Sequence, residues 1–132
     1  MKRRVAVARL LANDADYLLM DEPFESLDYQ TRLRMQQFLI SIHETFSKSI
    51  LLVTHQVDEA ILLSDRVLLM SNKPGRIAQD LEIKLDRPRD SRSDRFNEYR
   101  AMITSHLERE VESMFGSESM QVQTMPKSQA SS

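Results

Sequence analysis

The 132-residue chain has no cysteine and no tryptophan, and its only glycines are Gly75 and Gly116. Without thiols there is no disulfide framework and no thiolate metal site, and the redox compartment leaves no mark on the sequence. A loop that cradles phosphate with backbone N–H groups needs several glycines close together, so no segment here forms one. No apolar run approaches the ~20 residues of a membrane-spanning helix. An excess of one charge is also missing. Lys and Arg total 18 against 20 Asp and Glu, a formal net charge of −2, and the basic residues are not interleaved with aromatics. The charge thus gives no electrostatic case for nucleic acid as the main partner. What remains is 41% hydrophobic and 29% charged, an ordinary globular balance for one domain or less. No internal repeat is visible.

The stretch Tyr17 to Asp28, YLLMDEPFESLD, organises the chain. Tyr17-Leu18-Leu19-Met20 is a short apolar run suited to a buried strand. Asp21 and Glu22 follow at once. Pro23 has no N–H to give a ladder, so the strand ends there. A strand that delivers two adjacent acids to its carboxyl end puts charge where open α/β sheets bind ligands. In a phosphate-handling site the first acid would hold Mg²⁺, directly or through water, and the second would orient an attacking water. The plain alternative is an acidic surface turn after a strand.

Lys2 to Leu11 reads as a helix with Val5, Ala8, Leu11 and Ala12 on one face. It starts without a cap and with three cations at the positive end of its dipole, which suggests that residues once preceded it. Arg9 interrupts the apolar run and no small-residue cleavage site follows, so a signal peptide is not expected. Asn13 to Asp16 is a polar connector. Asp28 is placed to cap a long helix to about Phe46, with Leu33, Phe38, Leu39, Ile42 and Phe46 as its apolar face. After the turn Ser47-Lys48-Ser49, Ile50 to Thr54 is apolar on both faces, as in a buried parallel strand, and His55 stands at its carboxyl end. Two strands joined by a long helix make a βαβ unit. Val57 to Ser64 is a short helix and Arg66 to Ser71 a third strand. Asn72-Lys73-Pro74-Gly75 is a tight turn, and Arg76 to Leu85 returns as a hairpin strand. Asp86 to Asp90 is a charged linker whose arginines are balanced by Asp86, Asp90 and Asp94. Ser93 or Asp94 caps a second long helix to about Phe115, with Phe96, Tyr99, Ile103, Leu107 and Val111 as its stripe. From Gly116 to Ser132 the composition predicts disorder. His43 and His106 fall on helices as solvated or packed side chains, and no metal-ligand spacing links the three histidines.

Taken together, RVAVARLLANDADYLLMDEPFESLD and LLVTHQVDEAILLSDRVLLM resemble the nucleotide-binding subunit of ATP-binding cassette (ABC) transporters. Within it, SDRVLLMSNKPGRI and DRPRD look like the ATPases of nitrate, sulfonate and taurine importers. The resemblance implies an α/β fold: an incomplete P-loop NTPase sheet of the RecA-like kind, mostly parallel, flanked by helices and lacking the phosphate-loop strand. It implies that residues 1–90 are the C-terminal part of the ATPase domain, 91–115 a C-terminal helix and 116–132 a tail. It further implies that Tyr17–Asp21 is the Walker B strand and that Asp21 contacts Mg²⁺ through water. Glu22 would be the catalytic carboxylate and Ser26-Leu27-Asp28 the D-loop at the dimer interface. His55 would be the switch histidine on the γ-phosphate. ATP and Mg²⁺ are the implied cofactors. The implied partners are a permease subunit and a second ATPase subunit, at the cytoplasmic face of the membrane and only peripherally attached.

The pattern GxxxxGK[ST], the glutamine loop and the LSGGQ signature do not occur in these residues, although Met1 stands where some members end that signature. Arg3 and Gln56 stand where the family commonly has Gln and Asp. Most ATP affinity comes from backbone N–H groups and a lysine around the β- and γ-phosphates. The expectation is therefore a truncated, split or fragmentary ATPase that binds ATP weakly alone, with sheet edges and apolar side chains exposed where the phosphate-loop strand would lie. The alternative is a non-catalytic remnant or docking module that binds another subunit.

Overall fold

The computed structural model describes residues 16–72 and 74–123. The helix expected over Lys2–Leu11, the connector Asn13–Ala15 and the end of the tail from residue 124 lie outside them. Two units divide the chain, one ending at Leu63 and the other beginning at Ser64.

The first unit is built from β1 (Tyr17–Asp21), α1 (Tyr29–Phe46), β2 (Ser49–Val53) and α2 (Val57–Leu63). The strands β1 and β2 pair in parallel, from Tyr17 opposite Ser49 to Asp21 opposite Val53. The 18-residue helix between them is what lets the chain return in the same direction. Asp28 caps α1 as expected, its carboxylate accepting from the Thr31 N–H. The helix ends at Ser47, held in the left-handed region at φ 51 where a glycine is more usual. Met20, Phe24, Met35 and Leu39 form the buried cluster, with Leu27, Ile50, Leu52 and Leu63 against it.

Two expectations about this unit change. The buried line of α1 is Met35, Leu39 and Ile42 with Gln36, while Leu33, Phe38 and Phe46 stay exposed. The mismatch arises because several apolar residues of α1 fall on adjacent faces, and only the face over β1 and β2 is covered. The strands are also buried on one side only. Leu18 and Met20 point into the core, whereas Leu19 is 69% and Leu51 58% exposed, and Tyr17 and Val53 share their face.

The second unit contains β3 (Arg66–Met70), β4 (Ile77–Glu82) and α3 (Asp94–Gln123). β3 and β4 pair antiparallel, with an irregularity at Leu69/Met70. The connection is too short for a crossover, so it turns back as a hairpin. The sheet is thus not one mostly parallel layer: among the described residues there are two two-stranded sheets, β1–β2 and β3–β4. Arg66 and Asp80 form a two-point ion pair across the hairpin. Ser93 caps α3, its hydroxyl accepting from the Phe96 N–H at 3.3 Å. Phe96, Ile103 and His106 are buried along α3. The helix does not stop near Phe115 but runs through Gly116 to Gln123. A single glycine costs a helix about 1 kcal/mol, and the first proline after it is Pro126.

Of the arginines expected to be balanced by neighbouring aspartates, Arg92 pairs with Asp90 at 3.3 Å, while Arg87 and Arg89 are used differently. Arg87 pairs with Asp65 at 3.3 Å rather than with Asp86. The half-buried Arg89 donates to the carbonyls of Ser64 (2.7 Å) and Leu85 (3.1 Å). Burial lowers its pKa, with the nearby Arg87 charge adding to the effect. The Tyr99 hydroxyl accepts the Lys84 N–H at 3.0 Å and ties the chain just after β4 to α3.

Candidate functional site

Parallel pairing brings the carboxyl ends of β1 and β2 to one edge, and the polar residues singled out in the sequence follow at that edge. Asp21 is the last residue of β1 and is exposed. Glu22 comes next, and its backbone N–H donates to the carbonyl of Val53 at 2.9 Å, extending the ladder by one bond. His55 lies two residues past the end of β2. Its Nε2 stands 3.2 Å from Oε1 of Glu22, with the imidazole 87% and the carboxylate 17% exposed.

Glu22 is held in an unusual state. Its φ is 45, in the left-handed region that costs a side-chain-bearing residue about 1–2 kcal/mol. Its Oε1 is buried yet has no hydrogen-bond partner among the described residues. The approach of His55 is close enough for an ion pair but lacks the angle of a hydrogen bond, so Oε1 remains an open acceptor. An unsatisfied buried acceptor costs a further ~1–3 kcal/mol. A residue that concentrates both penalties is a functional-site candidate. With so exposed an imidazole, the contact adds little stability in itself; its significance is geometric.

The turn after Glu22 is fixed by the buried Phe24 and by bonds from Glu25 N–H to Glu22 O and from Leu27 N–H to Phe24 O. Ser26 is exposed on this turn. Asp28 lies at its end with its carboxylate engaged as the α1 cap. That bond holds its pKa below the usual aspartate value, through the Thr31 side chain first and the backbone amide second. On the β2 side, Thr54 Oγ1 accepts the Gln56 N–H at 3.1 Å and shapes the bend that carries His55. The structure thus brings Asp21, Glu22 and His55 to one edge. Ser26 and Asp28 are on the adjoining turn.

One feature of this region escaped the sequence. Gln36 of α1 and Glu59 of α2 are both 5% exposed, and the amide Nε2 donates to Oε2 at 3.1 Å. This pair ties α2, which begins just after His55, to α1, which begins just after Asp28. Gln and Glu read as surface residues, and only the two-helix geometry reveals them. The other histidines match expectation. The ring N–H at Nδ1 of His43 donates to the Lys48 carbonyl at 2.7 Å, and His106 is packed. No group of three or more His, Cys, Asp or Glu among the described residues could hold a metal ion. No helix among them is long and apolar enough to cross a membrane.

No family model matches the chain. Individual proteins do. An uncharacterized ABC transporter ATP-binding protein of Methanocaldococcus jannaschii is 50% identical over 111 residues, covering 84% of this chain and 42% of that protein. The aliphatic sulfonates import ATP-binding protein SsuB of Bacillus cereus is 44% identical over 108 residues, covering 82% of this chain and 43% of its own length. A Pseudomonas fluorescens SsuB is 46% identical over 110 residues, covering 83% and 42%. Its relatives are ATP-binding proteins of ABC transporters. The chain spans about two-fifths of the length of these ABC relatives, 42% and 43% for the first two. A small α/β unit with a parallel strand pair is compatible with part of an ABC ATPase domain.

Proposed function

We propose that this chain is the C-terminal part of an ATP-hydrolysing ABC importer subunit, serving sulfonate-like anions and, by the same reading, taurine- or nitrate-like ones. The observation that carries this is the 3.2 Å approach of His55 to Glu22 at the carboxyl edge of a parallel strand pair, in a chain 44–50% identical to ABC ATP-binding proteins. In this reading β1 is the Walker B strand and Ser26-Leu27-Asp28 the D-loop that meets a second ATPase subunit. Asp21 would reach Mg²⁺ through water. Glu22 would orient the attacking water and accept its proton, and His55 would donate to the transferring phosphoryl oxygens.

The residues fit such a cofactor pair. The open, buried Oε1 of Glu22 accepts a water proton without first breaking another bond. A divalent cation here would draw most ligands from phosphate and water, as Mg²⁺ commonly does. When bound, Mg²⁺ neutralises charge on the β- and γ-phosphates. The grip on the nucleotide is proposed to come from a segment bearing GxxxxGK[ST] that these residues do not include, so the chain alone should bind ATP weakly. A permease is the proposed partner and the cytoplasmic membrane face the proposed place. A second reading, a module that docks without catalysis, is favoured by the exposed apolar face of Tyr17, Leu19, Leu51 and Val53.

The test is a chimera that joins this chain, in register, behind the amino-terminal portion of the Methanocaldococcus relative. Calorimetry should find no micromolar Mg-ATP affinity in the chain alone and clear affinity in the chimera. Glu22→Gln should then lower turnover by about 10²–10⁴ while ATP still binds. Turnover near the parental rate would remove Glu22 from its role, and a chimera that neither binds nor hydrolyses ATP would favour the docking module.

A further inference from the structure

We propose that the exposed stripe of α3 formed by Leu107, Val111, Met114 and Phe115 docks an amphipathic helix of a partner protein whose own apolar stripe is bordered by lysine and arginine. The four residues follow helical spacing, so they share one line. They are 40%, 47%, 46% and 62% exposed, in contrast to Phe96 and Ile103 earlier on the same helix, which are buried. The line is held in place at one side. The Asn72 N–H donates to Oε2 of Glu110 at 3.3 Å, and its side-chain amide reaches Sδ of Met114 at 3.2 Å. The β3–β4 turn therefore fixes the rotation of the helix and presents the stripe in one orientation, which lowers the ordering cost of docking.

Charge decides the occupant. By helical geometry Glu108 and Glu112 border the stripe on one side and Glu110 on the other, while Arg109 falls on the opposite face. A second copy laid along the same stripe would bring these glutamates together, and an anionic lipid surface would be repelled by them. A helix with basic borders gains attraction along both edges while its apolar residues cover the stripe. Nothing in this inference depends on the ATPase reading.

The probe is a labelled three-heptad helical peptide with Leu at the seam positions and Lys at the bordering positions, followed by fluorescence anisotropy with the full chain. The expected result is binding at about 1–100 μM. Raising salt from about 0.05 to 0.5 M should weaken it about tenfold. Val111→Glu and, separately, Leu107→Ser should each weaken it about tenfold with helicity by circular dichroism retained. Four outcomes would overturn the proposal: equal binding of the same peptide with Glu borders, affinity unchanged by both substitutions, binding only to phosphatidylglycerol vesicles, or self-association in sedimentation that Val111→Glu abolishes.

Discussion

The two described strand pairs of this molecule are about equally long, yet only the first gathers its acids and a histidine at one edge. In the first unit the strands run in parallel, so Asp21, Glu22 and His55 all emerge at the same edge. In the second they run antiparallel, the end of β3 meets the start of β4 in a turn, and the charged residues face one another as the Arg66–Asp80 pair. There the Arg66 partner holds the Asp80 carboxyl below its ordinary pKa. Parallel pairing stacks chain ends and leaves their side chains to converge on something else. Antiparallel pairing lets neighbours satisfy each other. The contrast extends to strain. Glu22 combines a positive φ with an unsatisfied buried oxygen, whereas Arg89 in the second unit spends its guanidinium on two carbonyls.

The largest effect that would sharpen this contrast comes from Gln36→Leu. It leaves the buried Glu59 carboxylate without its amide donor, and urea unfolding should show a loss of about 1–3 kcal/mol. Adding Glu59→Leu should recover most of that loss. A double variant no better than the single one would mean that the pair does not hold α2 to α1. A smaller effect is expected from Glu22→Gly. Relief of the left-handed backbone, worth about 1–2 kcal/mol, is partly offset by the greater freedom of glycine in the unfolded chain. The variant should therefore melt no lower than the parent although it has lost a side chain. A clear drop in stability would show that Glu22 is not strained.

How much of this was legible beforehand depends on what each element relies on. β1, α1 and the Asp28 cap follow from local pattern and turn chemistry, and they stand where the sequence puts them. The βαβ pairing follows from the length of α1. The exposed face of Leu19 and Leu51 was not legible, because a run apolar on both faces reads as a strand buried on both, and what covers each face is decided by tertiary packing. The buried line of α1 was not legible, because apolar residues surround that helix and the choice of face belongs to tertiary packing. Nor was the Gln36–Glu59 bond, which joins residues 23 apart in sequence. The convergence of Glu22 and His55 was readable as residue types at strand ends. The positive φ of Glu22 was not, since nothing in an Asp-Glu-Pro sequence demands it.

The smallest effect concerns pH. The carboxylate of Asp28 has a lower pKa in the folded chain than the ordinary 3.8, because it accepts from Thr31. A depressed acid stabilises the fold fully above its unfolded value and loses that contribution as pH falls through the folded one. The cap should thus be intact above about pH 4 and fade in more acidic solution, with Asp28→Asn flattening that part of the stability profile. An unchanged profile would show that the cap is not ionised in its bond to Thr31.

The convergence at the parallel edge can be tested directly, because the chain has only three histidines. Two of them serve as internal references: His43 bonds the Lys48 carbonyl just before β2, at the end opposite Glu22, and His106 is buried on α3. Ring ¹H–¹³C spectra of the parent and of Glu22→Gln should show the His55 signals displaced while those of His43 and His106 stay in place. His55 signals identical in the two proteins would mean that the imidazole does not stand beside Glu22.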